Sequence, residues 1–158
     1  MEKTKLIKKL KSIGMVSRGA FVLHSGKMSD YYIDIKKAYG DPKVLSLLAK
    51  MLGNLIPKRA TCVAATGQGG IPLASIISVI KVLPLILVRE TEKEHGTMSI
   101  IEGYIPNSKD VVAIVDDVYT TGSSIQEITQ GIAKYGPKID GAYVVVWRGK
   151  GKCPSSVR

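Results

Sequence analysis

The sequence predicts an α/β fold with a central, mostly parallel sheet flanked by helices. Residues 111–115 (VVAIV) form an apolar run rich in β-branched side chains, which is typical of a strand buried on both faces of a parallel sheet. After this run, Ile125, Ile128 and Ile132 recur at the spacing of a helix. Residue 61 begins a second segment with the same order of strand and then helix.

The first forty residues predict one helix and two short strands. Residues 2–13 carry apolar side chains at helical spacing between lysines, which indicates an amphipathic helix ended by Gly14. Residues 21–23 and 31–35 are β-type runs on either side of a turn signal at residues 25–27.

The next elements alternate between helix and strand. A helix is expected from Asp41, an acidic N-cap followed by proline. Residues 61–65 predict a strand, residues 66–72 (TGQGGIP) a glycine-rich turn, and residues 73–80 a helix. Three glycines in four positions allow the backbone of that turn to approach an anion closely. Residues 83–88 predict another buried strand.

The most informative junction follows the strand at residues 111–115. Asp116 and Asp117 come next, then a Thr-Thr-Gly-Ser-Ser turn, and a helix is expected from Ser123. A helix that begins in such a turn directs free N–H groups at a phosphate monoester. The carboxylates would repel that anion unless they bind sugar hydroxyls or share a divalent cation. A phosphorylated sugar meets both demands.

The composition indicates one soluble domain over residues 1–158. The chain is 45% hydrophobic and 23% charged, which is ordinary for a globular protein of this length. Prolines and a lysine interrupt the apolar stretch at residues 71–88, so we expect no membrane span, and we expect no signal peptide. Cys62 and Cys153 are too few for a disulfide framework or a metal site, which fits a reduced, cytoplasmic setting.

The net charge of +10 indicates either an anionic partner or a solvated basic face. Basic proteins bind nucleic acid, anionic membranes or small polyanions. The aromatic content of 6% and the absence of an RNA-binding signature argue against nucleic acid. We therefore interpret the charge as a solvated face, part of which steers a sugar phosphate toward its site.

Four stretches of the chain resemble one enzyme family. Residues 112–124 (VAIVDDVYTTGSS) resemble the phosphoribosyl-pyrophosphate (PRPP) motif of the type I phosphoribosyltransferases. Three other stretches resemble the orotate phosphoribosyltransferases of that family: residues 21–34 (FVLHSGKMSDYYID), 89–96 (RETEKEHG) and 144–148 (VVVWR). The resemblance implies the type I phosphoribosyltransferase fold, with a small N-terminal hood over about residues 1–40 and a core over about residues 41–148.

The resemblance also implies a reaction. It would transfer the 5-phosphoribosyl group from PRPP to orotate, giving orotidine 5′-monophosphate and pyrophosphate in pyrimidine (UMP) biosynthesis. Mg²⁺ would enter with PRPP and would have no firm protein ligand. The matching catalytic positions are Lys93, His95, Asp116 and Asp117. The matching PRPP-binding positions are Arg89, Lys93, His95, Asp116, Asp117, Val118, Tyr119, Thr120, Thr121, Gly122, Ser123 and Ser124.

The remaining family positions concern the base, the leaving group and the partner subunit. Orotate would contact Thr120, Arg148, Tyr31 and Tyr32, although the two tyrosines also fit a role as cross-strand core residues. Gln68 and Gly69 would form the loop that contacts pyrophosphate. Residues 89–100 would form a mobile flap that acts across a subunit interface, so a homodimer is implied.

Several positions depart from the family pattern and keep alternatives open. Glu90 stands where the family usually has lysine, His24 replaces a basic hood residue, and Trp147 replaces the usual aspartate before Arg148. The chain ends at Arg158, where family members often continue with a further strand and helix, so we expect a shortened or differently built edge. The alternatives are a transferase for another base, a PRPP-binding regulator without catalysis, and a plain α/β interaction domain. Glu90 is the feature that favours the regulator.

Overall fold

The computed structural model describes residues 3–22, 28–89, 100–149 and 153–158. The chain separates into two compact units, Met1–Leu47 and Leu48–Arg158. The assignment of the whole chain to one domain with a hood over about residues 1–40 stays a prediction.

The first unit contains a helix and a two-stranded hairpin. Helix α1 (Lys3–Ser12) agrees with the predicted amphipathic helix and buries Leu6 and Leu10. Strands β1 (Val16–Val22) and β2 (Met28–Ile33) pair antiparallel, with a register shift between Arg18 and Phe21. Strand β1 begins earlier than predicted, and the expected turn at residues 25–27 lies outside the described residues. A 3₁₀ helix (Ile35–Gly40) completes this part of the chain.

Helix α2 (Pro42–Leu55) begins where its capping residue predicts. Oδ1 of Asp41 accepts hydrogen bonds from the backbone N–H groups of Lys43, at 3.0 Å, and Val44, at 3.3 Å. The aspartate thus satisfies two N–H groups that have no partner inside the helix, which confirms the N-cap prediction.

The second unit contains a five-stranded sheet. Its strands are β3 (Cys62–Ala65), β4 (Leu85–Val88), β5 (Ile101–Gly103), β6 (Val111–Tyr119) and β7 (Lys138–Trp147), in the order β5-β4-β3-β6-β7. All neighbouring pairs are parallel except β4 and β5. The predicted mostly parallel α/β fold is confirmed.

Two helices connect the parallel strands on opposite faces of the sheet. Helix α3 (Gly67–Lys81) links β3 to β4, and helix α4 (Ser123–Ala133) links β6 to β7. Ile128 of α4 packs in one cluster with Ala64 of β3, whereas Gly70 of α3 lies against Ala65. Because successive strand residues point to opposite faces, the two helices cover the sheet from opposite sides.

Residues 153–158 lie beside β7 as a short additional edge. The N–H of Ala142 donates to the carbonyl of Ser156 at 2.7 Å, and the N–H of Arg158 donates to the carbonyl of Ala142 at 2.8 Å. Val157 forms a parallel bridge with Ala142 and is buried. No helix in the described ranges is long and apolar enough to cross a membrane.

Candidate functional site

Two adjacent carboxylates lie near the carboxyl end of β6. Asp116 and Asp117 were expected just after the strand, but β6 continues through both of them to Tyr119 because its pairing with β7 continues to that residue. Asp116 is only 7% exposed, and Asp117 is half-buried. Oδ1 of each carboxylate accepts the N–H of the next residue, at 2.8 Å for Asp116 and 2.9 Å for Asp117.

The environment of Asp116 disfavours its charged form. Burial, and next the nearby charge of Asp117, raise the pKa of Asp116 to about 7. Hydrogen bonds from the backbone of Asp117 and from the Ser124 hydroxyl oppose this shift. The pair therefore holds a proton close to neutral pH, and a ligand that supplies hydroxyl donors or positive charge favours its full ionisation.

The turn after β6 presents the start of α4 to solvent. Gly122 is the N-cap residue at φ 85°, in the left-handed region that glycine adopts at least cost. A Cβ at this position would lie 2.9 Å from the Tyr119 hydroxyl oxygen, so space also requires glycine. Within the described residues no side chain caps α4, which leaves the first N–H groups of the helix available to an anion. Thr121 and Ser123 are exposed beside them, with their hydroxyl oxygens 3.5 Å apart.

The glycine-rich segment after β3 is the first turn of a helix. Helix α3 begins at Gly67, whereas the sequence predicts a turn at residues 66–72 and a helix from residue 73. The prediction was wrong because glycines usually mark a turn, whereas here Gly69 and Gly70 allow the helix to approach Asp117 and the backbone of β6 closely. Gln68 is exposed on this turn, and Gly69 lies directly against the Asp117 carboxylate.

Arg148 follows β7 and lies at the same edge of the sheet. Its backbone N–H donates to the carbonyl of Tyr119 at 2.8 Å, which fixes the residue beside the chain that leads into Thr120. The pairing of Tyr119 with Trp147 continues the ladder up to this point. The structure thus brings a predicted base-binding residue next to the predicted phosphate-binding turn.

Arg89 follows β4 at this edge and forms an ion pair that the sequence does not indicate. Its guanidinium forms an ion pair with Glu102 of β5 at 2.5 Å, and its N–H donates to the carbonyl of Ile100 at 2.9 Å. The expected flap residues Lys93 and His95, and the departures Glu90 and His24, lie outside the described residues. A short antiparallel strand such as β5 leaves too weak a sequence pattern for Glu102 to be singled out.

The structure therefore gathers most of the predicted site at one edge of the sheet. Gln68, Arg89, Asp116 and Arg148 all lie at or just beyond the carboxyl ends of parallel strands, where ligands bind in open α/β sheets. Thr66, which was not predicted, braces this edge because its buried hydroxyl donates to the carbonyl of Val88 at 2.8 Å.

Tyr31 and Tyr32 belong to the first unit, on strand β2. Their side chains are 43% and 38% exposed, and the Tyr32 ring lies 5.7 Å from that of Phe21. These exposures exclude a fully buried core role and leave both rings accessible.

Comparisons with known proteins agree with this geometry. The sequence profile of the phosphoribosyl transferase domain family matches residues 37–157. An orotate phosphoribosyltransferase from Methanocaldococcus jannaschii is 41% identical over 150 residues, which cover 95% of this chain and 85% of that protein. An orotate phosphoribosyltransferase from Methanopyrus kandleri is 41% identical over 151 residues, which cover 96% of this chain and 81% of that protein.

Solved structures show the same similarity. The crystal structure of orotate phosphoribosyltransferase from Aeropyrum pernix superposes with a TM-score of 0.80 at 38% identity, over 92% of this chain and 83% of that chain. The structure of Leishmania donovani UMP synthase superposes with a TM-score of 0.82 at 29% identity, over 94% of this chain and 32% of that chain.

Proposed function

The chain belongs to the orotate phosphoribosyltransferases of the phosphoribosyltransferase family, and from this membership we propose how its residues transfer the 5-phosphoribosyl group from PRPP to orotate. The products are orotidine 5′-monophosphate and pyrophosphate, in the pathway that makes UMP. The observation that carries the proposal is the junction of β6 with α4, where two carboxylates precede a hydroxyl-rich turn and an uncapped helix start.

The 5′-phosphate of PRPP binds in the turn between β6 and α4. The backbone N–H groups at the start of α4 and the exposed hydroxyls of the turn supply donors to its oxygens. Seven consecutive residues form this cradle: Val118, Tyr119, Thr120, Thr121, Gly122, Ser123 and Ser124. The glycine requirement at Gly122 supports the assignment, because a side chain there would press on Tyr119.

Asp116 and Asp117 accept hydrogen bonds from the ribose hydroxyls and stabilise positive charge that develops on the ribose ring. The raised pKa of Asp116, caused first by burial and then by Asp117, supports this role. A buried carboxylate that is costly to ionise in the free protein favours a ligand or transition state that brings donors and positive charge. Positioning and electrostatics, rather than covalent chemistry, then lower the barrier.

The pyrophosphate group lies between the first turn of α3 and the flap of the partner subunit. Gln68 and Gly69 contact it from α3, and Arg89, Lys93 and His95 of the partner subunit contact it from that flap. Arg89 exchanges its Glu102 partner for pyrophosphate, which is feasible because a surface ion pair contributes only about 0–1 kcal/mol.

Mg²⁺ bound together with PRPP would supply positive charge to the pyrophosphate group. The described residues contain no group of three or more acidic, histidine or cysteine side chains that could hold a metal. The donor chemistry fits this arrangement, since Mg²⁺ prefers oxygen ligands and is often held by one or two carboxylates together with substrate phosphates. Asp116 and Asp117 are the carboxylates within reach of such a complex.

Orotate binds beside Thr120 and Arg148, whereas its contact with Tyr31 and Tyr32 stays a prediction from the sequence. The guanidinium of Arg148 fits the orotate carboxylate because a planar fork of donors matches two oxygens. The position of Arg148 beside the Tyr119 carbonyl supports this assignment.

The active form is a homodimer in which the flap of one subunit acts on the site of its partner, in a cytoplasmic setting without membrane or nucleic-acid partners. Two free cysteines are compatible with a reducing compartment. Burial raises the pKa of the Cys62 thiol to about 11, which makes it an inert core residue.

The test is the loss of orotate absorbance with PRPP and Mg²⁺, in the wild type and in Lys93→Ala and Asp117→Asn. We expect turnover in the wild type and a fall of at least about 100-fold in both variants, because each removes charge stabilisation in the transition state. Glu127→Gln is the matched control, since Glu127 is exposed on α4 and is not one of the proposed PRPP-binding residues.

A wild type that binds PRPP but consumes no orotate would overturn the proposed base specificity. Assays with other nucleobases would then identify the substrate, and their failure would point to a PRPP-binding regulator. Full activity in Lys93→Ala would remove the flap from the mechanism and leave the PRPP turn unaffected.

A further inference from the structure

Helix α3 lies so close to the end of β6 that no side chain fits between Gly69 and Asp117. A Cβ built on Gly69 would lie 2.5 Å from Cγ and 2.7 Å from Oδ2 of Asp117. Ordinary contacts between carbon and other heavy atoms begin near 3.4 Å, so the methyl group of alanine would overlap the carboxyl group.

The neighbouring glycine makes a similar close contact with the backbone. A Cβ on Gly70 would lie 2.7 Å from the carbonyl oxygen of Val115, and 3.4 Å from both Oδ1 of Asp116 and Cβ of Ala65. Neither Gly69 nor Gly70 has a positive φ, whereas Gly67 does, at 62°. Crowding by neighbouring atoms, rather than backbone conformation, is therefore what favours glycine at positions 69 and 70.

We infer that Gly69 is a positioning residue for the transfer reaction. Because Gly69 has no side chain, the Asp117 carboxylate can occupy its position against the first turn of α3. This inference rests on the proposed role of Asp117 in holding the ribose. It differs from the proposed contact between Gly69 and pyrophosphate, because it acts through Asp117 and not through the leaving group.

The two glycines differ in what a methyl group would displace. At Gly69 the obstacle is the end of a flexible side chain, so the Asp117 carboxylate rotates away while the sheet and helix remain in place. At Gly70 the obstacle is the backbone of β6, so the helix itself has to move. Gly69→Ala is therefore the variant that tests positioning without rebuilding the fold.

The matched control is Gly53→Ala in α2. A Cβ on Gly53 would meet its nearest neighbours, Cδ1 of Ile80 and Cδ of Lys81, at 3.6 Å, which is an ordinary contact. Both substitutions place alanine in a helix, where it has a higher helix propensity than glycine. The difference between the two variants thus isolates the contact with Asp117.

We expect Gly69→Ala to lower kcat/KM for PRPP by about 100-fold, because displacing a reacting group by about 1 Å has effects of that size. Its KM for orotate should remain at the wild-type value, since the orotate contacts lie elsewhere. Its melting temperature should stay within about 4 °C of wild type, and Gly53→Ala should match wild type in every measurement.

The decisive experiment repeats Gly69→Ala in an Asp117→Ala background. Without the carboxylate there is nothing to displace, so we expect the glycine substitution to change kcat/KM and PRPP affinity by less than about twofold there. An equal loss in both backgrounds would overturn the inference and assign Gly69 to pyrophosphate alone. Wild-type kinetics in Gly69→Ala would overturn it as well.

Different results would overturn the positioning role of Gly69 and the proposed function. If the wild type turns over no orotate, the proposed function fails, and the same cycle is measured by calorimetric PRPP binding and by thermal unfolding. Coupling between positions 69 and 117 in those measurements would still support the positioning role, and strict additivity would overturn it.

Discussion

At the scale of single residues, the two adjacent aspartates of β6 differ in environment. Because side chains alternate along a strand, Asp116 is directed into a buried environment while Asp117 lies against the first turn of α3. The sequence identified the acidic pair and its neighbouring turn. It did not identify which carboxylate is buried, because that depends on how far the pairing of β6 with β7 continues.

Replacement of Asp116 by asparagine should change how stability depends on pH. Because the pKa of Asp116 is raised from 3.8 to about 7 in the folded protein, the folded state binds more protons than the unfolded chain between these values. Wild-type stability therefore falls as the pH rises through this window. The free energy of unfolding of Asp116→Asn, measured relative to that of the wild type, should therefore increase by about 2 kcal/mol when the pH is raised from 5 to 8.

Urea denaturation of both proteins at pH 5 and pH 8 measures this difference. Glu127→Gln serves as the control for removal of a carboxylate, since this side chain is exposed on α4. Parallel pH profiles for Asp116→Asn and wild type would show that burial does not destabilise the charged form.

At the scale of elements, apolar runs and helix caps in the sequence predicted elements correctly, whereas features that depend on contacts between elements were not predicted. The buried run of β6 and the Asp41 cap of α2 were predicted because each signal lies within a few consecutive residues. The start of α3 at Gly67 was missed, since glycine usually marks a turn and the reason for glycine here is the approach of β6. Strand β5 has three residues, which is too short for a periodic pattern.

A buried carboxylate joins three elements at the opposite end of the sheet from the site. The side chain of Asp140 in β7 is 1% exposed and forms ion pairs with Arg59, which follows α2, and with Arg158 at 3.3 Å. It also accepts a short hydrogen bond from Tyr143, whose hydroxyl receives a second bond from Arg158 at 2.7 Å. This network fastens the C-terminal residues to β7.

Asp140→Asn should destabilise the protein mainly above pH 4. Burial alone would raise the pKa of Asp140, but the Tyr143 hydroxyl and the two guanidiniums outweigh it and lower the pKa below 3.8. A lowered pKa contributes stability that is present above the unfolded value and is lost as the pH falls through the folded value. We expect a loss of about 2 kcal/mol at pH 7, the size of a hydrogen bond to a charged group.

Urea denaturation at pH 7 and pH 3 checks this expectation, and the deficit of Asp140→Asn should be smaller at pH 3. Turnover should remain close to wild type at saturating substrate, because the network lies away from the carboxyl ends of the strands. An equal deficit at both pH values would mean that packing, rather than charge, is what Asp140 contributes.

At the scale of the whole molecule, the topology explains why residues distant in sequence form one site. Parallel strands end at one edge, so the predicted residues after β3, β4, β6 and β7 meet there once the strand order is fixed. The net charge of +10 adds a general attraction for polyanionic PRPP, which should weaken as salt increases. The proposed assembly of two subunits would depend on surfaces whose pattern a single sequence does not reveal.

The proposed exchange of flaps between subunits predicts complementation between two inactive variants. Lys93→Ala damages the flap, and Asp117→Asn damages the PRPP site. In a mixed dimer, the intact flap of one subunit would meet the intact PRPP site of the other. Random reassociation of equal amounts should therefore restore about a quarter of wild-type activity, because half of the dimers are mixed and each contains one complete site.

A mixture of Asp116→Asn and Asp117→Asn is the control, since both changes damage the same site and no mixed dimer contains a complete site. Recovery only in the first mixture would establish action across the interface. No recovery, together with sedimentation at the mass of a single chain, would mean that each subunit uses its own flap.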